Sequence, residues 1–388
     1  MPAILHVSQP GSEGVGNYVA RVAELQAALG HRVDVACPLD TPLAVATEQS
    51  GLVLHPWAAG RNPNLGLGRE LSRLSAIIDL VDPDVVHLHS SKAGLVGRLA
   101  LRRRRPTVFQ PHSWSFEAMS PSLAPVAVRW ERLAASWVDV LVGVSADEVA
   151  TATSHRIRTA GTTVTIPNPV DTERFHPSTP YTTESRHVRR SLGLADEPLV
   201  VCVGRLCRQK GQDRLVEIWP RVLERVPAAQ LLLAGDGPDR RSLEATAGDH
   251  IHFLGDRADV AAILRASQVA VLASRWEGMS LAVLEALASS RPVVATDVAG
   301  SRETVGRGAG ALVDQFAFTT MADEIVARLL DPALARREGA VGRRIVSECH
   351  RYASVVEELS SAYRLALAAH RRTDFRPAAL ALGARVDG

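Results

Sequence analysis

The sequence predicts an α/β protein built from two doubly wound domains that face each other across a cleft. The chain has 388 residues, about twice the length of one ordinary α/β domain. Short apolar runs alternate with longer helical patterns in both halves, which is typical of parallel sheets covered by helices on both faces. A segment rich in proline, threonine and serine, residues 167–198, separates the two halves.

The first half carries the repeating strand and helix pattern of βαβ units. Residues 4–7 form the first predicted strand and residues 14–29 the first helix. Further strands, with helices between them, are predicted at residues 32–36, 85–89, 108–110 and 138–142. Continuous apolar strands of this kind are buried in parallel sheets. We therefore predict one Rossmann-like domain over residues 1–171.

The alternation restarts after a linker, which we place at residues 172–197 with one short helix near 188–192. A second Rossmann-like domain is predicted over residues 198–350. Its strands are expected at residues 199–203, 230–234, 251–254, 269–272, 292–295 and 311–313. A helix at 351–372 is expected to pack back on the first domain, and residues 373–388 to form a flexible tail. Doubly wound domains place their strand C-termini at the cleft, so a ligand should bind there.

Composition and charge narrow the class of protein. The formal net charge is +2, so the chain is no polycation that coats nucleic acid, and no such partner is expected. The four cysteines include no CxxC pair, which argues against a disulfide framework or a structural zinc site. We see no signal peptide and no apolar run of about 18 residues. The expectation is a cytoplasmic protein whose membrane contact, where it has one, is peripheral and at the inner face.

The strongest motif is WEGMSLAVLE at residues 276–285, which links a predicted strand to a helix. Gly278 lets the backbone approach a ligand, and the amides of Met279, Ser280 and Leu281 are predicted first-turn donors for a phosphate. Glu277 is placed to accept hydrogen bonds from sugar hydroxyls, and Glu285 to hold a ribose diol. The alternative is a capped helix that carries solvated glutamates.

The second motif is the loop GRLCRQKG at residues 204–211, at the end of the second domain's first strand. It presents Arg205 and Lys210 toward the cleft, where fixed cations stabilise a departing diphosphate. Lys210 and Lys92 are the two lysines of the chain, a scarcity that draws attention to both positions. The alternative is an ordinary solvated basic loop.

These two motifs, with AGDGP at 234–238 and IPNPVD at 166–171, resemble glycosyltransferase family 4, a retaining family with the GT-B fold. The resemblance extends from the first strand to about Tyr363. It implies an acceptor domain followed by a nucleotide-sugar donor domain, a UDP- or GDP-sugar as substrate, and no cofactor or metal ion. It also implies that Glu277 binds the donor sugar, that Glu285 binds the ribose, and that Arg205 and Lys210 bind the diphosphate.

The first domain contains matching pieces. Gly16 belongs to the glycine loop 11–17, which lets a ligand approach the start of the first helix. His112 follows the strand 108–110 and resembles the family histidine that contacts the donor sugar; a histidine satisfied in the core is the alternative. His89 and Lys92 resemble the acceptor side, and Lys92 is expected to face the cleft and receive an acceptor phosphate. His87 and His89 share one strand face, but no third metal ligand is evident, so hydrogen bonding or packing is preferred.

Two other features are given ordinary interpretations. Asp82 and Asp84 form a DxD string that precedes a strand, where a turn is expected rather than a metal site. Residues 102–105 are four arginines between a helix and a strand. A solvated loop is preferred for them, with contact to anionic lipid as the alternative.

The resemblance implies a hexosyltransferase that moves a sugar to an acceptor hydroxyl with retention of configuration. The candidate acceptors are an exopolysaccharide or lipid-linked saccharide, an inositol phosphate, or a small natural product. Two other functions fit the same architecture: a nucleotide-sugar epimerase, which needs no acceptor, and a non-catalytic nucleotide-sugar-binding protein.

Overall fold

The computed structural model describes residues 1–60, 66–178 and 182–374. The first domain contains a seven-stranded parallel sheet with strand order β3-β2-β1-β4-β5-β6-β7. Its strands are β1 (Ala3–Ser8), β2 (Arg32–Cys37), β3 (Val53–Pro56), β4 (Val85–His89), β5 (Thr107–Gln110), β6 (Val140–Gly143) and β7 (Thr162–Thr165). Its helices are α1 (Glu13–Ala28), α2 (Pro42–Gln49), α3 (Leu67–Val81), α4 (Ser90–Leu101), α5 (Ala124–Ala135) and α6 (Ala146–Ser154), with a 3₁₀ turn at Ser115–Ala118.

The second domain contains a six-stranded parallel sheet with strand order β10-β9-β8-β11-β12-β13. Its strands are β8 (Leu199–Val203), β9 (Gln230–Ala234), β10 (Ile251–Gly255), β11 (Val269–Leu272), β12 (Val293–Thr296) and β13 (Gly310–Val313). The helices are α7 (Thr183–Ser191), α8 (Gln212–Arg225), α9 (Arg240–Glu244), α10 (Val260–Ala266), α11 (Leu281–Ala288), α12 (Ser301–Thr304), α13 (Met321–Leu330), α14 (Pro332–Cys349) and α15 (Tyr352–Asp374).

Both sheets have the doubly wound topology that the alternating pattern predicts. Every residue of β1 and of β9 is buried, which explains why these strands are largely apolar rather than alternating. The strand order reverses between β1 and β4 in the first sheet and between β8 and β11 in the second. Ligands of doubly wound folds bind at this point, at the carboxyl ends of the strands. The α/β class with two such domains is confirmed.

The segment expected to be a linker contains a helix that packs on the second domain. Helix α7 lies against α10, and Val188 and Leu194 belong to the same buried cluster as Leu199. Arg189 donates hydrogen bonds to the carbonyls of Ala195, Glu197 and Ala266, an arrangement that satisfies a buried guanidinium. The proline and threonine content of this segment hid its apolar positions. Residues 179–181 and 375–388, which include most of the expected tail, lie outside the described residues.

The chain crosses between the domains a second time at its C-terminal end. Beside the first crossing, His350 Nδ1 lies 2.7 Å from the Asn168 carbonyl oxygen, and the Val170 amide donates to the His350 carbonyl at 2.9 Å. Helix α15 then packs on the first domain, where Leu359 and Tyr363 join the buried cluster around Ile4. No helix in the described ranges is long and apolar enough to cross a membrane.

We predict that Leu359→Ala destabilises the protein by about 2–5 kcal/mol, because it leaves a cavity beneath α15. Leu359 is fully buried, whereas Leu365 on the same helix is 47% exposed. Leu365→Ala is therefore the matched control, with an expected change within about 0.5 kcal/mol. Urea unfolding followed by circular dichroism measures both, and equal losses in the two variants would contradict the packing of α15.

Candidate active site

The loop between β11 and α11 carries Glu277 at the carboxyl end of the second sheet. The Ser274 hydroxyl donates to Glu277 Oε1 at 2.8 Å, and Lys210 Nζ lies 2.6 Å from the same oxygen. Ser274 is itself held in place because its carbonyl accepts from the Thr296 hydroxyl at 2.6 Å. Glu277 is 9% exposed, so its carboxylate has a fixed position at the rim of the cleft.

Lys210 comes from the neighbouring loop, between β8 and α8. Burial alone would lower the pKa of Lys210, but the charge and hydrogen bond of Glu277 raise it above its usual value, so the ammonium is charged. Gly211 makes this approach feasible, because a Cβ at that position would lie 2.1 Å from the Ala273 carbonyl oxygen. Arg205 is half-buried on the same loop, and its carbonyl accepts from Gln212 Nε2 at 3.0 Å.

Helix α11 begins two residues later than the sequence predicts. Ser280 is its N-cap, with extended backbone, and Leu281 is its first residue. The backbone of Met279 is used differently, because its carbonyl accepts from Asn168 Nδ2 at 2.9 Å and its side chain is buried in the core. The prediction that the amides of Met279 and Ser280 belong to the first turn is therefore wrong.

Glu285 lies in the second turn of α11 and is half-buried. Burial raises the pKa of this carboxyl to about 7, although the positive charges of Arg174 and Lys210 act in the opposite direction. Its proton therefore comes on or off near neutral pH. Any ligand that donates hydrogen bonds to this carboxyl favours its ionised form and lowers its pKa.

The two domains touch where these loops meet the first domain. A Cβ on Gly278 would lie 2.9 Å from the Ser113 amide nitrogen, and a Cβ on Gly14 would lie 3.3 Å from Leu281 Cδ1. Nearby, Glu303 Oε1 accepts from the Ala146 amide at 2.8 Å, across the same boundary. Gly278 thus brings the second domain directly onto the loop that carries His112.

His112 has a left-handed backbone, with φ 54°, and Ser113 follows with φ 101°. Such conformations are costly for non-glycine residues and occur preferentially at functional sites. The His112 ring contacts Tyr18 edge-on at 5.1 Å between centroids, and its Nε2 lies 3.2 Å from His89 Nδ1. Burial lowers the pKa of His112 to about 3, so its ring is neutral.

Glu148 fixes the backbone of the loop that carries His112. Its carboxylate accepts from the Ser113 amide at 2.6 Å and from the Val144 amide at 2.7 Å. Burial nevertheless raises its pKa to about 7. Sequence reasoning missed this residue, because a glutamate in the first turn of a helix reads as an ordinary favourable charge near the N-terminus.

Gly16 lies in the first turn of α1, beside the start of the glycine loop. A Cβ at this position would lie 2.7 Å from the carbonyl carbon of Gly11, so a larger residue would push the loop away from the helix. The loop and helix α1 are adjacent to α11 of the second domain, as the contact between Gly14 and Leu281 shows.

The two residues expected on the acceptor side are both buried. His89 is fully buried and contacts His6 and His112 rather than open space. Lys92 does not face the cleft, because its side chain is 3% exposed and its Nζ lies 2.7 Å from Glu70 Oε2. The first turn of α4 directs Lys92 toward α3, against which α4 packs. The expectation that Lys92 faces the cleft is therefore wrong.

Comparisons with known proteins match both domains. Residues 13–169 match the "Glycosyl transferase 4-like domain" model, and residues 197–331 match the "Glycosyl transferases group 1" model. The putative glycosyltransferase EpsD of Bacillus subtilis is 27% identical over 359 residues, 86% of this chain and 89% of EpsD. A GDP-mannose-dependent phosphatidylinositol monomannoside mannosyltransferase of Mycobacterium tuberculosis is 32% identical over 51% of this chain and 55% of its own length. This chain belongs to the group 1 glycosyltransferases, of the family 4 type.

The solved structures of similar shape agree on the fold. Anabaena HepE in complex with UDP and glucose superposes with a TM-score of 0.82 at 20% identity, over 94% of this glycosyltransferase and 100% of HepE. The two facing doubly wound domains are therefore the GT-B fold. The expected resemblance and fold are both confirmed.

The glycosyltransferase brings most of its predicted donor residues to one edge of the second sheet. Glu277 and Lys210 are in contact, Glu285 lies within the electrostatic reach of Lys210, and Gly278 faces the His112 loop. Ser274 and His6 were missed. A serine after a strand and a histidine within a strand carry no signal in a single sequence, because their importance comes from neighbours distant in the chain.

We predict that the ionisation of Glu285 by itself makes UDP or GDP bind the glycosyltransferase about tenfold more tightly at pH 8 than at pH 6. Ribose hydroxyls donate hydrogen bonds and favour the ionised carboxylate. Binding therefore lowers the pKa of Glu285 from about 7 and weakens as the pH falls below that value. Titration calorimetry of wild type and Glu285→Gln at both pH values isolates the pH dependence that Glu285 contributes. The pH dependence that comes from the phosphates of the nucleotide is the same in both proteins. The same pH dependence in both proteins would exclude Glu285 from the ribose site.

Proposed function

We propose that this glycosyltransferase moves a hexosyl group from a UDP- or GDP-sugar to an acceptor hydroxyl, with retention of configuration and without a metal ion. The observation that carries the proposal is the fixed contact of Lys210 with Glu277 at the carboxyl edge of the second sheet, opposite the His112 loop. The similar proteins include a GDP-mannose-dependent mannosyltransferase of Mycobacterium tuberculosis and HepE of Anabaena in complex with UDP-glucose. Both nucleotide-sugar types are therefore candidates for the donor.

Each donor group has a chemically matching residue in the proposed complex. Arg205 and Lys210 neutralise the diphosphate, and the first amides of α11, which begin at Leu281, add hydrogen bonds to it. An ammonium has three donors, so Lys210 can bind a phosphate oxygen while it keeps Glu277 in place. Glu277 accepts from hydroxyls of the donor sugar, and Glu285 from the ribose. Because these cations already offset the leaving-group charge, the proposed transfer needs no metal.

The proposed chemistry takes place on one face of the sugar. The bond between the anomeric carbon and the diphosphate oxygen breaks as the acceptor oxygen attacks the same face, and the leaving phosphate oxygen takes the acceptor proton. Glu277 is not the nucleophile in this scheme, because the acceptor oxygen itself attacks the anomeric carbon. His112 contacts the donor sugar from the first domain. The close approach of Gly278 to Ser113 limits the access of water.

Two other functions share this architecture and are separated by their products. A nucleotide-sugar epimerase would release an isomerised donor in the absence of an acceptor. A non-catalytic binding protein would form no product. The pairing of Lys210 with Glu277 and the perturbed pKa of Glu285 favour the transferase over a degenerate binding site, because perturbed groups in a cleft are typical of active sites.

We predict that one of UDP, GDP and ADP, or its sugar, raises the unfolding temperature, and that EDTA leaves the shift intact. A ligand at about 100 times its Kd stabilises the native state by about 2.7 kcal/mol. Glu285→Ala should reduce the shift, because it removes the ribose contact but lies away from the diphosphate. Product analysis with the stabilising sugar then distinguishes transfer, isomerisation and binding. Loss of the shift in EDTA would contradict metal-independent binding, and no shift with any nucleotide would contradict the donor site.

We also propose that the enzyme works in the cytoplasm at the inner face of the membrane, on a saccharide acceptor that is lipid-linked. The outer face of α5 exposes Val126 and Leu133, at 67% and 58%, beside the exposed Arg129 and Arg132. The acidic residue of this helix, Glu131, is buried against Arg98 at 2.7 Å. Exposed apolar and basic side chains on one helix face fit an anionic bilayer surface. Polysaccharides, inositol phosphates and small natural products remain the alternative acceptors.

Arg102 extends this surface. Its guanidinium lies 5.9 Å from the centre of the Trp137 ring, and Trp137 contacts Trp130 of α5 edge-on at 6.0 Å. The other arginines of residues 102–105 are paired with aspartates: Arg103 with Asp139, Arg104 with Asp79 and Arg105 with Asp82. Arginine near an anionic surface contributes about 1 kcal/mol per residue, and tryptophan favours the bilayer interface. Arg102 and α5 are therefore parts of one surface.

We predict that the enzyme cosediments with vesicles of phosphatidylglycerol and phosphatidylcholine at low salt, and less so at high salt because the charges are screened. Leu133→Glu should weaken this binding, because it places a carboxylate on the surface. Leu330→Glu is the matched control, since Leu330 also lies on a helix and is 59% exposed against 58% for Leu133. Equal binding of the two variants, or no binding of the wild type, would exclude α5 as the membrane contact.

A further inference from the structure

A row of hydrogen-bonded side chains runs through the core of the first domain to His112. Tyr363 of α15 accepts from Gln26 Nε2 at 3.0 Å, and Gln26 Oε1 lies 2.7 Å from His6 Nε2. The other nitrogen of His6, Nδ1, lies 2.9 Å from His89 Nε2. The row ends at the cleft, where His89 Nδ1 lies 3.2 Å from His112 Nε2.

The rings in this row are neutral. His6 and His89 are fully buried. Burial lowers the pKa of His6 to about 4 and that of His89 well below its usual value. The pKa of His112 is lowered to about 3 for the same reason. A neutral imidazole has one nitrogen that donates and one that accepts. The direction of one hydrogen bond therefore decides the direction of the next.

The direction can be followed from Tyr363 to the cleft. Gln26 directs its amide nitrogen at Tyr363, so its oxygen accepts and His6 carries its proton on Nε2. His6 Nδ1 then accepts from His89 Nε2, which leaves His89 Nδ1 as an acceptor. His112 consequently donates from Nε2 to His89. Its Nδ1 is left as a lone-pair acceptor.

We propose that Gln26, His6 and His89 are positioning residues that fix His112 in the Nε2–H tautomer, so that its Nδ1 accepts a hydrogen bond from a hydroxyl of the donor sugar. The sugar contact rests on the proposed function, whereas the tautomer does not. The row also explains why these polar groups are tolerated in the core: each buried nitrogen along it has a partner. Tyr363 of α15 anchors the far end of the row.

The same histidines suggest a metal site, but the contacts favour the row. The ligand atoms of His6, His87 and His89 all lie within 4.8 Å of one another, and within the described ranges His87 Nε2 has no hydrogen-bond partner. However, His6 Nδ1 and His89 Nε2 are bonded to each other at 2.9 Å. A dication among three neutral, fully buried rings would also leave its charge uncompensated in the core. Metal binding is therefore an outcome that the experiment must be able to detect.

The test is the long-range ¹H–¹⁵N NMR spectrum of the full-length protein labelled at histidine, since ring ¹⁵N shifts separate the two tautomers. The His112 signals are assigned by their loss in His112→Gln. We expect a single Nε2–H tautomer in the wild type without any ligand. A predominant Nδ1–H tautomer would overturn the proposal, and the tautomer itself is read from the wild-type spectrum.

Two variants with the same substitution separate positioning from general packing. His6→Phe interrupts the row, and we expect it to abolish the single tautomer of His112. His87→Phe is the matched control, because His87 is equally buried and hydrogen-bonds Tyr363 at 2.9 Å but is not on the path to His112. It should leave the His112 signals in the wild-type tautomer. Equal disturbance by both variants, or a stoichiometric metal in the purified protein that shifts the His6 signals when chelated, would overturn the proposal.

Failure of the proposed function has a different signature. Addition of UDP-glucose or GDP-mannose should shift the His112 Nδ1 signal when the sugar contact forms, and UDP or GDP alone should not. The Nε2–H tautomer without a shift of the Nδ1 signal on addition of either nucleotide sugar would support the row but contradict the contact between His112 and the donor sugar. The Nδ1–H tautomer together with a signal shift on addition of a nucleotide sugar would contradict the row but support binding of the donor.

Discussion

The ion pair between Lys210 and Glu277 is the interaction on which the arrangement of the donor site depends. It joins the two loops that leave β8 and β11, the strands on either side of the switch point. Neither charge would be stable at this depth alone, so the position of each loop depends on the other. Gly211 lets the first loop lie directly beneath Ala273. In the proposed complex the diphosphate meets the Lys210 ammonium already held in place by Glu277, which is the condition for electrostatic stabilisation without reorganisation.

The boundary between the domains is built from small residues where the loops meet and from polar contacts around them. Gly278 approaches the Ser113 backbone, and Gly14 approaches the Leu281 side chain, so a side chain at position 278 would require one of the two backbones to shift. Asn168 links the crossing segment to the Met279 carbonyl. Asn168, in the first crossing between the domains, therefore also holds the backbone just before α11.

The sequence predicted what local pattern determines. Apolar runs gave both sheets, and the 276–285 motif placed Glu277 and Glu285 on the correct loop and helix, because strand, loop and helix are consecutive there. It failed where position depends on packing between distant segments. Lys92 was expected at the cleft, but the orientation of α4 against α3 pairs it with Glu70. His6 was not recognised, because β1 and β4 become neighbours only in the sheet. Helix α11 starts at Leu281, and the Met279 carbonyl before it accepts from Asn168, 111 residues away in the chain, a contact that no local pattern predicts.

The C-terminal helix connects these features. It leaves the second domain beside His350, whose ring contacts the first crossing at Asn168, and it inserts Tyr363 beside Gln26 and His87 in the first domain. The chain thus returns to the first domain where the histidine row begins. Because the rings of that row are neutral through burial, their order is set by hydrogen-bond direction rather than by pH. Helix α15 therefore completes the hydrogen-bonded row that ends at His112.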